Sequence, residues 1–193
     1  MKPNADVLIE TRHAPTTEGR LLTPATVTAV GGVVFAGAIF GFFYAWVCST
    51  MWGLDQADPR VAIEAMQAMN GSVRNAVFAP AFFLTPVVLG IAAALCQREG
   101  RRLSAGLLAL AAVVYLGGGL ILTMTLNVPM NEDLARVVVP AEMDAARQIW
   151  QDYSDSWQVY NQIRTVLSGV ALTLAATALV TLSRQAPRAG RRR

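Results

Sequence analysis

The sequence predicts an all-α membrane protein: a four-transmembrane-helix bundle with an extended fourth helix and helical outer loops. Of its 193 residues 54% are hydrophobic and 15% charged, where an average soluble domain carries about 25% charged residues. Four windows contain no charged residue at all: 21–54, 75–97, 103–131 and 165–183. Each reaches the roughly 18 residues that cross a bilayer core as a helix, and an isolated apolar span satisfies its backbone hydrogen bonds in lipid only in that form. The third observation is a stripe. Trp150, Tyr153, Trp157, Asn161 and Arg164 fall within an arc of about 80° at 100° per residue, and the stripe runs straight into the last window.

Taken in order, residues 1–23 form a polar leader with Pro3, Pro15, Thr16 and Thr17. It lacks the short basic start and small-residue cleavage site of a secretory signal, so the first helix is expected to be retained and the leader to be a disordered tail. Residues 24–183 form a single membrane domain and 184–193 a basic tail. The first helix carries Gly31, Gly32, Gly37 and Gly41, then Phe40, Phe42, Phe43, Tyr44 and Trp46. Gly37 and Gly41 make a small-xxx-small step suited to close helix approach, and the aromatics crowd towards an interface. Asp58-Pro59 reads as a helix start. The short helix that follows is expected to bury Val61, Ala62, Ala65, Met66 and Met69 on one face and to be interrupted at Asn70-Gly71.

The second span contains Pro80 and Pro86, and the third contains Gly117-Gly118-Gly119 followed by Thr123, Thr125 and Asn127. Pro129, within Asn127-Val-Pro-Met-Asn131, is expected to end the third helix, with both Asn side chains capping freed backbone groups. A long fourth helix should then run from about 141 to 182. Gln148, Asp152, Asp155 and Val159 lie opposite its stripe and form a solvated face, so the stripe turns inward.

Eleven basic residues fall in the tails and the loop near 100, against five on the other side, four in loops 52–75 and 128–163 and Arg164 just beyond the second. By positive-inside bias both termini are cytoplasmic and the two long loops extracytoplasmic. Cys48 and Cys96 sit near opposite ends of their spans, too far apart to pair; both are expected free and packed. The one histidine, His13, lies in the leader. There is no Cys/His cluster for zinc, copper or haem, no strand for a phosphate loop and no nucleophile–base pair. The basic C-terminus is expected to touch lipid headgroups and not nucleic acid. An inward-facing ionisable residue where a helix enters the bilayer marks Arg164 as the leading site residue.

Asn127-Val-Pro-Met-Asn131, then Leu134-Ala135, then Trp150-x-x-Tyr153-x-x-x-Trp157-x-x-x-Asn161-x-x-Arg164 resembles the anthrone-oxygenase-like family of small four-helix membrane proteins. Tyr44, the 65–70 stretch ending in Asn70, and Asn75 with Phe78 resemble it too, so the likeness covers roughly residues 30–182. The resemblance implies an oxygenase that converts anthrones to anthraquinones with no metal, flavin or other cofactor. Tyr153, Asn161 and Arg164 are then the catalytic candidates, with Tyr153 moving a proton and the other two stabilising an oxyanion. Asn127, Asn131, Trp150, Trp157, Asn70 and Tyr44 are the substrate-binding candidates. Gln162 departs from the pattern, since many members carry His there; on the wheel it stands outside the stripe. The expected partners are the bilayer and a hydrophobic or aromatic small molecule. The other reading is a non-catalytic membrane module that binds a lipid or small molecule, or assembles as a homo-oligomer or with a partner protein.

Overall fold

A computed structural model of the chain describes residues 23–184. The two tails, with His13 and the basic C-terminus, lie outside the described residues apart from Thr23 and Arg184. Five continuous helices and no strand make up the rest: α1 (Pro24–Asp55), α2 (Pro59–Ser72), α3 (Phe78–Arg98), α4 (Arg102–Ala135) and α5 (Met143–Arg184). All except α2 are long and apolar enough to cross a membrane. These four form an up-and-down ring in which α1 and α4 each pack on both α3 and α5. The shorter α2 lies across one end, against α5 and the last turns of α4. That end is the capped end; the tight α3–α4 turn closes the other.

Local chemistry sets the helix starts. Thr23 Oγ1 accepts the N–H of Thr26 at 3.2 Å, with Pro24 in the first turn of α1. Asp58 accepts the N–H of Arg60 at 2.9 Å, with Pro59 in the first turn of α2. The Arg60 side chain, and then that backbone bond, hold the Asp58 carboxyl at about 2. Because this value is depressed, the cap is fully formed above the ordinary carboxylate range and is lost only as pH falls towards 2. Asn75 Oδ1 accepts from both Val77 N (2.8 Å) and Phe78 N (3.0 Å) and so starts α3. At the α3–α4 turn Gly100 has φ +77°, a backbone position that favours glycine. Next to it Arg101 pairs with Glu99 at 3.1 Å and donates to the Leu182 carbonyl at 2.7 Å, placing a cation at the negative end of α5.

Three expectations fail for physical reasons. Helix α2 runs through Asn70-Gly71 to Ser72 and buries Ala62, Ile63 and Met66, while Val61 faces out. Helix α4 does not stop at Pro129. The stretch Thr123–Asn127 is π-helical, with Val128 N–H bonded back to the Thr123 carbonyl, and α-helical turns resume at Val128. Pro129 therefore stands in the opening turn of the resumed helix, a position that proline favours. Two more π-helical stretches occur, at Trp46–Thr50 in α1 and Leu116–Ile121 in α4. Finally, Gly41 faces open space and Cys48 is exposed, whereas Cys96 is buried. The close approach of α1 occurs at Gly32, where a Cβ would come within 2.8 Å of Leu89 on α3.

The bundle core satisfies one backbone group that Pro86 leaves without its helical donor. Pro86 sits inside α3 and has no N–H for the carbonyl four residues earlier, that of Phe82. The hydroxyl of Tyr115, fully buried on α4, donates to this carbonyl at 2.9 Å. In a hydrocarbon slab no water could do so. Tyr115→Phe is therefore expected to lower stability by about 1–3 kcal/mol. In a Pro86→Ala background, where an N–H returns, the same substitution should cost much less. Thermal unfolding of the four proteins in detergent measures the coupling; additive losses would mean that the hydroxyl serves something other than the orphaned carbonyl.

Candidate functional site

All five residues of the α5 stripe are buried: Trp150, Tyr153, Trp157, Asn161 and Arg164. Opposite them Gln148, Asp152, Asp155 and Val159 are exposed, as the periodicity requires. Arg164 is only 4% exposed, and among the described residues no carboxylate pairs with it. Its Nε donates to Asn161 Oδ1 at 2.9 Å and its Nη1 to Thr123 Oγ1 at 3.4 Å. The guanidinium lies 4.3 Å from the ring centre of Phe43 and 4.9 Å from that of Trp157. Asn161 in turn donates to the Phe43 carbonyl at 3.3 Å, which fastens α5 to α1 at this level.

Towards the capped end the stripe meets α4 and α2. Asn131 Oδ1 accepts from Tyr153 Oη at 2.8 Å and from Trp157 Nε1 at 2.9 Å. Asn70 Nδ2 donates to the same Tyr153 oxygen at 3.3 Å. Thr123, Asn127 and Asn131 recur every four residues on α4, and the first and last bond to α5. Asn127 is completely buried between them, and neither its side-chain nitrogen nor its oxygen has a partner among the described residues.

A cavity of about 560 Å³ opens beside this network. Phe42, Phe43 and Trp46 of α1 form one wall, and Phe78 and Phe82 of α3 another. Phe42 and Phe78 are in contact, with ring centres 4.9 Å apart. Trp157 and Arg164 of α5, Thr123 and Asn131 of α4, and Asn70 of α2 supply the polar lining. Arg74, on the α2–α3 connection, and Glu132 line the mouth and pair at 3.2 Å, both well exposed. The same two side chains border a second cleft of about 330 Å³, together with Gln67 and Arg136.

Of the nine candidates from the sequence, Arg164, Asn131, Trp157 and Asn70 line the cavity. Asn161 and Tyr153 stand directly behind it, each hydrogen-bonded to a lining residue. Asn127 does not line the cavity; it is buried between Thr123 and Asn131, without a side-chain partner among the described residues. Trp150 is elsewhere: its Nε1 donates to Asp55 Oδ1 at 3.0 Å, and it borders a separate polar cleft. Tyr44 is half exposed on the outside of α1, stacked on Phe40. Neither Asn127 nor Asn131 caps a helix end through its side chain. The sequence reading missed the aromatic wall from α1 and α3, because an aromatic in an apolar span carries no mark of which side it faces. It also missed Asp55. That carboxylate accepts from Trp150, from Ser154 at 2.7 Å and from Gln158 at 2.9 Å, clamping the end of α1 to α5.

A family model for anthrone oxygenase matches residues 72–188. The chain belongs to the anthrone oxygenase family. Within the matched stretch lie the cap of α3, the Thr123–Asn127–Asn131 row and the whole α5 stripe; α1 and nearly all of α2 precede it. No curated protein and no solved structure matches the chain. In this anthrone oxygenase family chain Gln162 is exposed, outside the buried α5 stripe, and does not line the cavity.

The double acceptor at Asn131 gives a direct test of the network. Asn131→Leu leaves two buried donors without an acceptor and is expected to cost about 1–3 kcal/mol for each, read as a lower unfolding midpoint and altered tryptophan fluorescence. Asn131→Asp keeps the acceptor and should lose much less. Equal losses in the two variants would mean that Asn131 contributes packing alone.

Proposed function

We propose that the protein binds a planar, hydrophobic polycycle bearing a ketone or phenolic oxygen and oxygenates it, as the family's name suggests, and that it does so without a cofactor. The observation that supports this reading is the buried guanidinium of Arg164, which no carboxylate among the described residues pairs, at the buried end of an aromatic cavity. A buried cation without a carboxylate favours a ligand that brings, or develops, negative charge on oxygen. In an anthrone the ring carbonyl stands opposite a methylene whose proton is acidic. Loss of that proton gives an enolate with its charge on oxygen, and the electron-rich ring then reduces O₂. In sum one O₂ is consumed, the methylene becomes a carbonyl and one water leaves.

On this reading Arg164 faces the enolate oxygen and Asn161 and Thr123 hold its side chain in place. Phe42, Trp46 and Phe78 supply flat apolar walls and keep bulk water away, which strengthens the charge interaction. Tyr153 is a positioning residue here, because its hydroxyl already donates to Asn131 and does not reach the cavity. In nanodiscs with anthrone and O₂ the wild-type protein is expected to exceed the buffer's autoxidation. Arg164→Ala should lose about 10²–10³-fold, the usual penalty for removing an oxyanion donor, and Asn161→Ala less. Wild-type rates equal to autoxidation would overturn the reading; saturable anthraquinone binding without turnover would favour the non-catalytic binding module.

The excess of basic residues in the tails and near residue 100 further supports cytoplasmic termini, with the cavity mouth on the opposite side of the membrane. In a Cys48→Ala background, Ser72→Cys is expected to react with an impermeant maleimide in intact cells and Gln97→Cys only after lysis. Both positions are exposed and Cys96 is buried. The reverse labelling pattern would invert the topology.

A further inference from the structure

The oxygenase reading leaves the methylene proton without a destination, and the cavity lining narrows the choice. Among the described residues that line it, the ionisable groups are Arg74, Glu132 and Arg164. Guanidinium groups do not accept protons at neutral pH. Tyr153 is excluded by position, since its hydroxyl donates to Asn131 and receives from Asn70 behind the wall. Glu132 is the remaining acceptor.

Its placement fits the task. Thr123, which touches Arg164, and Glu132 stand nine positions apart on α4, roughly 13 Å at the rise of a helix. The two groups therefore flank the cavity from opposite ends, Arg164 buried and Glu132 at the mouth. An anthrone has the same polarity: its carbonyl oxygen and its methylene lie on opposite edges of the central ring. A ring seated with its oxygen towards Arg164 presents the methylene towards Glu132.

We propose that Glu132 is the general base of the reaction, an inference that rests on the oxygenase reading. Its carboxylate takes one proton from the substrate methylene. The C–H electron pair stays on the ring as the enolate, so nothing is oxidised in this step; O₂ accepts electrons afterwards. Glu132, half exposed, then returns the proton to water. The charged groups around it are Arg74 from the α2–α3 connection, Arg136 and Asp133 on or beside its own helix, and Arg164 across the cavity; Asn70 and Gln67 face it from α2. Arg74, paired with the carboxylate at 3.2 Å, must turn aside for the substrate.

The experiment compares wild type, Glu132→Gln, Glu132→Asp and Arg74→Gln in nanodiscs, with anthrone as substrate and anthraquinone as a binding probe read by tryptophan quenching. Glu132→Gln is expected to lower kcat by about 10²–10⁴-fold while still binding anthraquinone. It should also abolish the fall in rate that the wild type shows as acid protonates its base. Glu132→Asp should recover part of the rate. Arg74→Gln breaks the same ion pair but keeps the carboxylate, and should retain at least about a tenth of the rate. If Glu132→Gln keeps both the rate and the acid limb, Glu132 is not the base and the oxygenase reading stands. Equal damage from Arg74→Gln would make the ion pair structural and overturn the role. A wild type that binds anthraquinone but does not exceed autoxidation overturns both readings together.

Discussion

The buried guanidinium of Arg164 is the constraint around which the capped half of the bundle is arranged. Removing a charge from water costs several kcal/mol even after relaxation, and no carboxylate among the described residues repays it. The compensation comes from two aromatic faces, worth on the order of 2 kcal/mol each when desolvated, and from two neutral oxygens bonded to a charged donor at about 1.5–3 kcal/mol apiece. These sums are comparable with the penalty, so the cation is tolerated only with all of its neighbours in place. The neighbours come from three parts of the chain: Phe43 from α1, Thr123 from α4, Asn161 and Trp157 from α5. The charge thereby fixes three helices relative to one another at one level.

From that level outward the fold behaves as a framework for a cavity. The far half of the ring is closed by small-residue contacts, by the Arg101–Glu99 pair and by the Tyr115 hydroxyl on the carbonyl that Pro86 leaves free. The capped half is held apart by larger groups. Asp55 ties α1 to α5 through three donors, Asn131 ties α4 to α5 through two, and Asn70 reaches in from α2. The aromatic rings of α1 and α3 then fill only part of the space between, and the opening that remains is lined by both.

Much of this was readable in the residues themselves. Four uncharged windows gave the helices because a lipid-spanning backbone has few alternatives, and the stripe on α5 gave the direction of Arg164 because charged side chains opposite it demanded water. Asn127 and Asn131, singled out in the sequence, fall in one row on α4 beside the stripe, but the local structure around them was not foreseen. Proline ordinarily ends a helix, and nothing in Asn-Val-Pro-Met-Asn announces that a wider turn just before it will absorb the missing donor. Tyr44 and Phe43 are adjacent aromatics, yet one faces outward and the other sits under the guanidinium. In an all-apolar span no polar neighbour distinguishes the two sides. Asp55 and Glu132 were passed over for a related reason: a carboxylate just beyond an apolar window looks like a boundary until the partner element is known.

The π-helical stretch before Asn127 has a consequence for how this wall can change. In an α-helix four residues overshoot a full circle by about 40°, so a row spaced every four residues winds away from its partner. A π-turn is wider and falls short of the circle. Placed one after the other, the two drifts oppose, and Thr123 and Asn131 share a meridian facing α5. The alignment is thus a property of phase, carried by one surplus residue in the turn. Winding the same residues as ordinary α-turns would leave every side chain of the wall chemically intact and swing the mouth, with Asn131 and Glu132, about a quarter of a circle out of line with the buried end.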